Sequence, residues 1–152
     1  VTLIAGIGNI LLGDDGLGPA VVDYLNRHCE LPQGVEAVDL GTPGLDLAPY
    51  LSRCKKLILI DAVEDDGAPG ELRMYRGDEL FRRPAAPRMG PHDPGIQETL
   101  LYLELAGSGP DEVVLIGALA GVTEPGIGLS EAVRGVVPEL ARQALAISAG
   151  LN

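Results

Sequence analysis

The segment Lys56–Asp61, KLILID, is apolar without a break from its second residue to its last but one. A strand with one face in water alternates apolar and polar residues, so an unbroken run belongs to a strand covered on both faces. Such a strand needs layers above and below its sheet, which is the α/β arrangement. Leu3–Ala5 and Val113–Ala118 carry the same signature. Between these runs Leu17, Val21, Tyr24, Leu25 and His28 recur at helical spacing, with Pro19 suited to a first turn. His28 has no acidic partner nearby in sequence and reads as structural. A second strand is expected over Val35–Leu40, ending in the turn Gly41-Thr42-Pro43-Gly44, and a second helix over Leu45–Cys54. Ala62–Gly70 is too short and turn-rich for a crossover helix, so Glu71–Arg76 is expected to run antiparallel to its predecessor. Gly77–Pro91 then reads as a long return loop and Asp93 as the cap of a third helix, with Pro94 in its first turn. Gly121–Gly128 reads as a loop, and Leu129–Ile147 as one closing helix, capped by Ser130 and kinked at Pro138. The expected fold is a three-layer α/β/α domain spanning 1–152, with a twisted, mostly parallel sheet of about five strands and one antiparallel strand.

Charge narrows the partners. Acidic residues outnumber basic ones 22 to 11, giving a net charge of −11 that disfavours nucleic acid and anionic membrane surfaces and suits a metal cation or a basic peptide. No apolar run approaches the ~20 residues of a membrane span, and the start of the chain lacks a signal-peptide pattern, so a cytoplasmic protein is expected. Cys29 and Cys54 have no metal-ligand spacing and read as free thiols. There is no G-x-S-x-G elbow, and neither cysteine lies at a strand-to-helix turn, which argues against covalent catalysis.

The opening stretch, VTLIAGIGNILLGDDGLG, is a strand feeding a glycine turn and then a helix. A dinucleotide site is the weaker reading, disfavoured by spacing because Leu11 stands where the third glycine of the fingerprint belongs. Charge disfavours it too: Asp14 and Asp15 occupy the place of the pyrophosphate. A cation suits the loop better. Asp15 lies just before helix one, Asp61 ends the central strand, and His92 lies just before helix three. Three separate connections thus deliver two carboxylates and an imidazole to the carboxyl edge of the sheet, where open α/β sheets bind ligands. That donor set suits a borderline transition metal. Singly, each has a plainer reading: Asp15 as a helix cap, Asp61 as a strand-end acid, His92 as a surface residue. Asp14 is read as a helix cap in either case.

Taken in order, Gly6-Ile7-Gly8-Asn9 through Asp14-Asp15-Gly16, Asp39-Leu40-Gly41-Thr42 with Gly44, Ile60-Asp61-Ala62 and Pro91-His92 closely resemble the hydrogenase maturation endopeptidases. The resemblance runs over essentially the whole chain. It implies a protease that removes the C-terminal extension of a nickel–iron hydrogenase large-subunit precursor after nickel insertion. It further implies that Asp15, Asp61 and His92 bind metal, with Asp15 a shorter arm where relatives carry Glu or Asp. Nickel, which the substrate can supply, is the implied ion, and zinc or cadmium can stand in for it. In one version the ligands grip nickel already held by the precursor; in another the metal polarises the scissile carbonyl while a carboxylate activates water. Asp39, at the end of strand two, is a lesser candidate for acid–base or peptide-positioning work, with a structural cap as the alternative. The competing function is a nickel-binding or delivery protein that uses the same residues without cleavage.

Overall fold

The computed structural model describes residues 1–41, 48–77, 79, 101 and 103–151. Its sheet has five strands: β1 (Thr2–Ile7), β2 (Val35–Gly41), β3 (Lys56–Val63), β4 (Leu72–Arg76) and β5 (Glu112–Leu119). Their spatial order is β2-β1-β3-β5-β4. β1 pairs in parallel with β2 and β3, β3 in parallel with β5, and only β4 runs antiparallel, against β5. The turn-rich 62–70 connection therefore does what its composition predicts: too short to cross over, it sends β4 back the other way.

Both faces of the sheet are buried, which explains the unbroken apolar runs. Leu3, Ala5, Ile7, Leu57, Leu59, Val63 and Leu115 point into one core, with Leu51, Tyr75 and Leu103. Ile4, Ile58, Ile60, Val114 and Ile116 point into the other. The second core is closed by α1 (Leu17–His28) and α4 (Val137–Ser148). Leu17, Val21 and Leu25 recur every fourth residue on α1, and Leu140, Ala144 and Ile147 line one face of α4 at spacings of four and three. The short α2 (Ala48–Leu51) sits on the first face through Leu51. This is the expected three-layer arrangement. His28 packs its ring on Tyr24, 4.9 Å between centroids, and both cysteines are free thiols.

Two expectations need correction. The closing helix is two helices, α3 (Glu131–Arg134) and α4, separated at Gly135 and Val136. Pro138 does not kink a helix but lies in the first turn of α4, where its missing N–H has no partner to lose. Ser130 stands at the cap position of α3, yet its side chain makes no capping bond. The second helix is described only from Ala48, and the loop and helix expected over Gly77–Pro91 and from Asp93 fall almost wholly outside the described residues.

α1 lies unusually close to the strands beneath it. A methyl group at Gly18 would sit 2.4 Å from the Ile60 carbonyl oxygen and at the same distance from the Ile7 nitrogen and oxygen, all backbone atoms that cannot swing aside. Gly6 returns the contact, its missing Cβ lying 2.5 Å from the Gly18 carbonyl oxygen. Gly18→Ala should therefore lift the start of α1 and cost about 3 kcal/mol of stability. Gly77→Ala, where no atom lies within 4 Å, should leave the urea midpoint nearly unchanged, and equal midpoints for the two variants would refute this account of the packing.

Candidate functional site

The site is built where β1 turns away from β3. β1 pairs with β3 only as far as Gly6 and Ile60, whereas β3 continues to Val63. Asp61 is therefore not the last residue of its strand, as its sequence suggested, but lies inside it, paired with Gly117 of β5 on one side and beyond the last β1 pair on the other. Its side chain is completely buried. By strand alternation it shares the face of Leu57, Leu59 and Val63, which is the face covered by Leu103.

From Ile7 the chain passes through Gly8, whose φ of +135° only glycine tolerates readily. Space demands glycine as well. A Cβ there would lie 1.8 Å from the Asp15 carbonyl oxygen and 3.6 Å from Asp61 Oδ1, so the first-loop backbone and the central-strand carboxylate both crowd Gly8. The loop then forms a 3-10 turn, Gly13–Gly16, that packs on β3 and carries both acids of the pair.

The two acids have different work. Asp14 is fully buried. Its Oδ2 accepts hydrogen bonds from the Gly121 and Val122 N–H groups at 2.8 and 2.9 Å and from the Ser130 hydroxyl at 2.8 Å. Its Oδ1 accepts the Ser130 N–H at 2.7 Å. Burial pushes this carboxyl up, but the four donors together outweigh burial and hold it below the ordinary aspartate range. Asp14 is thus no cap of α1, as sequence suggested; it clamps the 121–130 loop to the first loop. That interaction also occupies the Ser130 hydroxyl, which is why Ser130 does not cap α3. Nothing in a single sequence pairs position 14 with position 130, 116 residues away; the visible hint was a second acid in a turn that needs only one cap.

Asp15 is buried beside it and accepts the Asn9 N–H on Oδ2 at 2.8 Å. Here burial is the larger effect and raises the carboxyl above its ordinary value against the pull of the Asn9 bond. The Gly8 and Asn9 N–H groups, which a dinucleotide site would aim at phosphate, are committed to the Gly41 carbonyl and to Asp15. Asp39 is exposed at the end of β2, two strands from Asp61. Its Oδ1 accepts the Gly41 N–H at 2.8 Å, and the Gly41 carbonyl in turn accepts the Gly8 N–H at 2.8 Å. It therefore fixes the turn against which Gly8 rests. His92 lies outside the described residues.

A model of the hydrogenase maturation protease family matches residues 19–147 of this chain. The chain belongs to that family. The hydrogenase expression/formation protein HoxM of Azotobacter vinelandii is 39% identical over 144 residues, covering 94% of this chain and 70% of the relative. HupD of Bradyrhizobium diazoefficiens is 40% identical over 115 residues, covering 76% of this chain and 60% of HupD, so the chain spans less than two thirds of that relative's length. Among solved structures, the hydrogenase maturating endopeptidase HybD of Escherichia coli superposes with a TM-score of 0.87 at 32% identity, covering 96% of this chain and 90% of HybD. Members of this family are peptidases by description.

The clamp in this maturation-protease fold has a measurable signature. Asn at position 14 keeps at most three of the four bonds and turns an NH2 toward an N–H donor, so Asp14→Asn should cost about 1–3 kcal/mol near neutral pH. Folding lowers the Asp14 pKa, so the unfolded chain binds that proton more readily. The clamp's pH-dependent stability is complete above the ordinary value of about 3.9 and is lost as pH falls through the lower folded value. Asp15 has the opposite sign: its folded pKa is raised, so charging it as pH rises from about 3.9 through that value costs stability. The gap between wild type and Asp14→Asn in urea denaturation should therefore narrow in acid, and a gap that is constant with pH would show that the charge of Asp14 is not what holds the loop.

Proposed function

We propose that this protein is the endopeptidase that removes the C-terminal extension of a nickel–iron hydrogenase large-subunit precursor once nickel is in place. The reading rests on one observation above all: the backbone of Asp15 and the carboxylate of Asp61, from two separate connections, both approach Gly8 where β1 ends. Both side chains are buried, with the Asp15 carboxyl pushed up by that burial, and a cation held by the two would offset the cost of burying their charge. The donor set fits. Carboxylate oxygens together with the His92 imidazole would suit nickel or zinc, and three protein ligands would leave coordination positions for a substrate.

In this reading the nickel belongs to the precursor. Asp15, Asp61 and His92 complete its coordination and so orient the junction to be cut, while the ion itself supplies positive charge that can polarise a nearby carbonyl. Asp15, with its raised pKa, can also take up the proton of an attacking water. Asp39 serves as a positioning residue, because it sets the Gly41 turn on which the Gly8 N–H is anchored. The net charge of −11 agrees with a metal-bearing or basic partner and with the absence of a role on nucleic acid. No helix among the described residues is long and apolar enough to cross a membrane, which is compatible with work on a cytoplasmic precursor.

Purified protein should cleave nickel-loaded precursor and leave nickel-free precursor intact. Asp61→Asn, which removes the anion and keeps the shape, should lower kcat/KM roughly hundredfold while shifting the urea midpoint little. His92→Ala should abolish one-equivalent binding of nickel, zinc or cadmium by the protein alone. Cleavage of the nickel-free precursor at the same rate would overturn recognition through nickel, and nickel binding with no cleavage at all would favour the delivery protein.

A further inference from the structure

Four large apolar side chains stand out of the surface beside the site. Ile10 and Leu11 are each 56% exposed, Val122 is 50% exposed and Ile127 is 86% exposed. They come from two loops far apart in sequence that hydrogen bonds fasten edge to edge. The Gly126 N–H donates to the Leu11 carbonyl at 2.8 Å, the Gly13 N–H donates to the Gly126 carbonyl at 2.9 Å, and Leu12 and Gly126 form a parallel bridge. The Asp14 clamp locks the other end of the same pair through Gly121, Val122 and Ser130. Exposed apolar residues are ordinary when scattered; four of them gathered on a fixed platform mark an interaction surface.

The platform is continuous with the candidate site. Asn9 donates its N–H to Asp15 and accepts the Leu11 N–H on its own Oδ1 at 2.9 Å, so one residue links the acid to the apolar rim. A molecule presenting a junction to Asp15 lies over Ile10 and Leu11. Charge specifies it further. Residues 1–26 contain no Lys or Arg, the exposed Glu124 and Glu131 flank the platform, and one cation, Arg134, is held on the Leu129 carbonyl at 2.9 Å, so a cationic partner is favoured over an acidic one.

We propose that Ile10, Leu11, Val122 and Ile127 form the surface on which the hydrogenase large-subunit precursor docks, through an apolar segment that carries positive charge, the bound nickel included. This inference rests on the function proposed above and adds where the enzyme holds its substrate. The clamp pre-organises the surface, so docking orders little further chain and spends its contact energy on affinity.

The test measures the Kd and the cleavage kinetics of a nickel-loaded large-subunit precursor from the same genome against Ile127→Asp and Leu11→Ser, with Leu105→Ser as a control. Leu105 is 82% exposed but lies in the segment leading to the amino end of β5. The platform variants should raise Kd and KM about tenfold or more. Their kcat at saturation and their nickel titration without precursor should match wild type, and the control should change nothing. Unchanged Kd and KM in both platform variants would overturn the inference and leave the peptidase reading standing. Platform variants that dissolve a dimer of the unaltered protein without moving Kd would assign the surface to a second copy, and overturn it equally. Wild-type protein that binds precursor through this surface but does not cut it would sink the peptidase reading alone, and wild-type protein that does not bind precursor would sink both.

Discussion

One buried carboxylate holds two distant parts of this chain together. Asp14 takes four hydrogen bonds from the 121–130 loop, and no other described side chain joins the opening loop to that loop by so many. Burying a charged carboxylate is costly unless donors replace the water it loses, and here N–H groups and a hydroxyl do so at 2.7 to 2.9 Å. The consequences spread outward. The 3-10 turn is fixed, so Asp15 is fixed; the second loop is fixed, so its apolar tip is presented and not collapsed onto the core. Catalytic constellations gain from such pre-organisation because orientation is settled before substrate arrives.

The clamp acts on a site already tight for another reason. Gly6, Gly8 and Gly18 let backbone approach backbone more closely than any side chain would allow, which draws the start of α1 down onto the ends of β1 and β3. That approach sets the turn before α1, which carries Asp15, against the end of β1 and against β3, which carries Asp61. The Asp39–Gly41–Gly8 relay adds a lateral anchor from β2. Three strands and one helix therefore converge on a single glycine, which explains why the opening motif is written in glycines.

Much of this architecture was legible in the sequence, because it follows from patterns local to each segment. Unbroken apolar runs announced the two-sided β3 and β5, helical spacing announced α1, and the short 62–70 connection announced the antiparallel β4. What escaped was non-local or depended on competition. The split between α3 and α4 follows from Gly135 and from the preference of Pro138 for a first turn, and a kinked single helix satisfies the same residues on paper. Ser130 was legible as a cap by type, but Asp14 captures its hydroxyl, and no local rule ranks those two uses. The position of Asp61 was off by two residues in its strand because β3 keeps pairing with β5 after β1 has left.

The adjacent acids Asp14 and Asp15 show most clearly where chemistry is decided. In sequence they are interchangeable: same side chain, same turn, same glycine neighbours. Their carboxyls then meet different donors. Four hydrogen bonds leave Asp14 stable as an anion with its oxygens committed, so it has little to offer a metal. Asp15 keeps a single backbone donor against comparable burial, and its anion is correspondingly ill at ease. In the proposed function a cation would relieve the second acid and do little for the first. The distribution of N–H donors around the pair, set by a loop more than a hundred residues away, commits one aspartate to the clamp and leaves the other as the acid to which the proposed metal role falls.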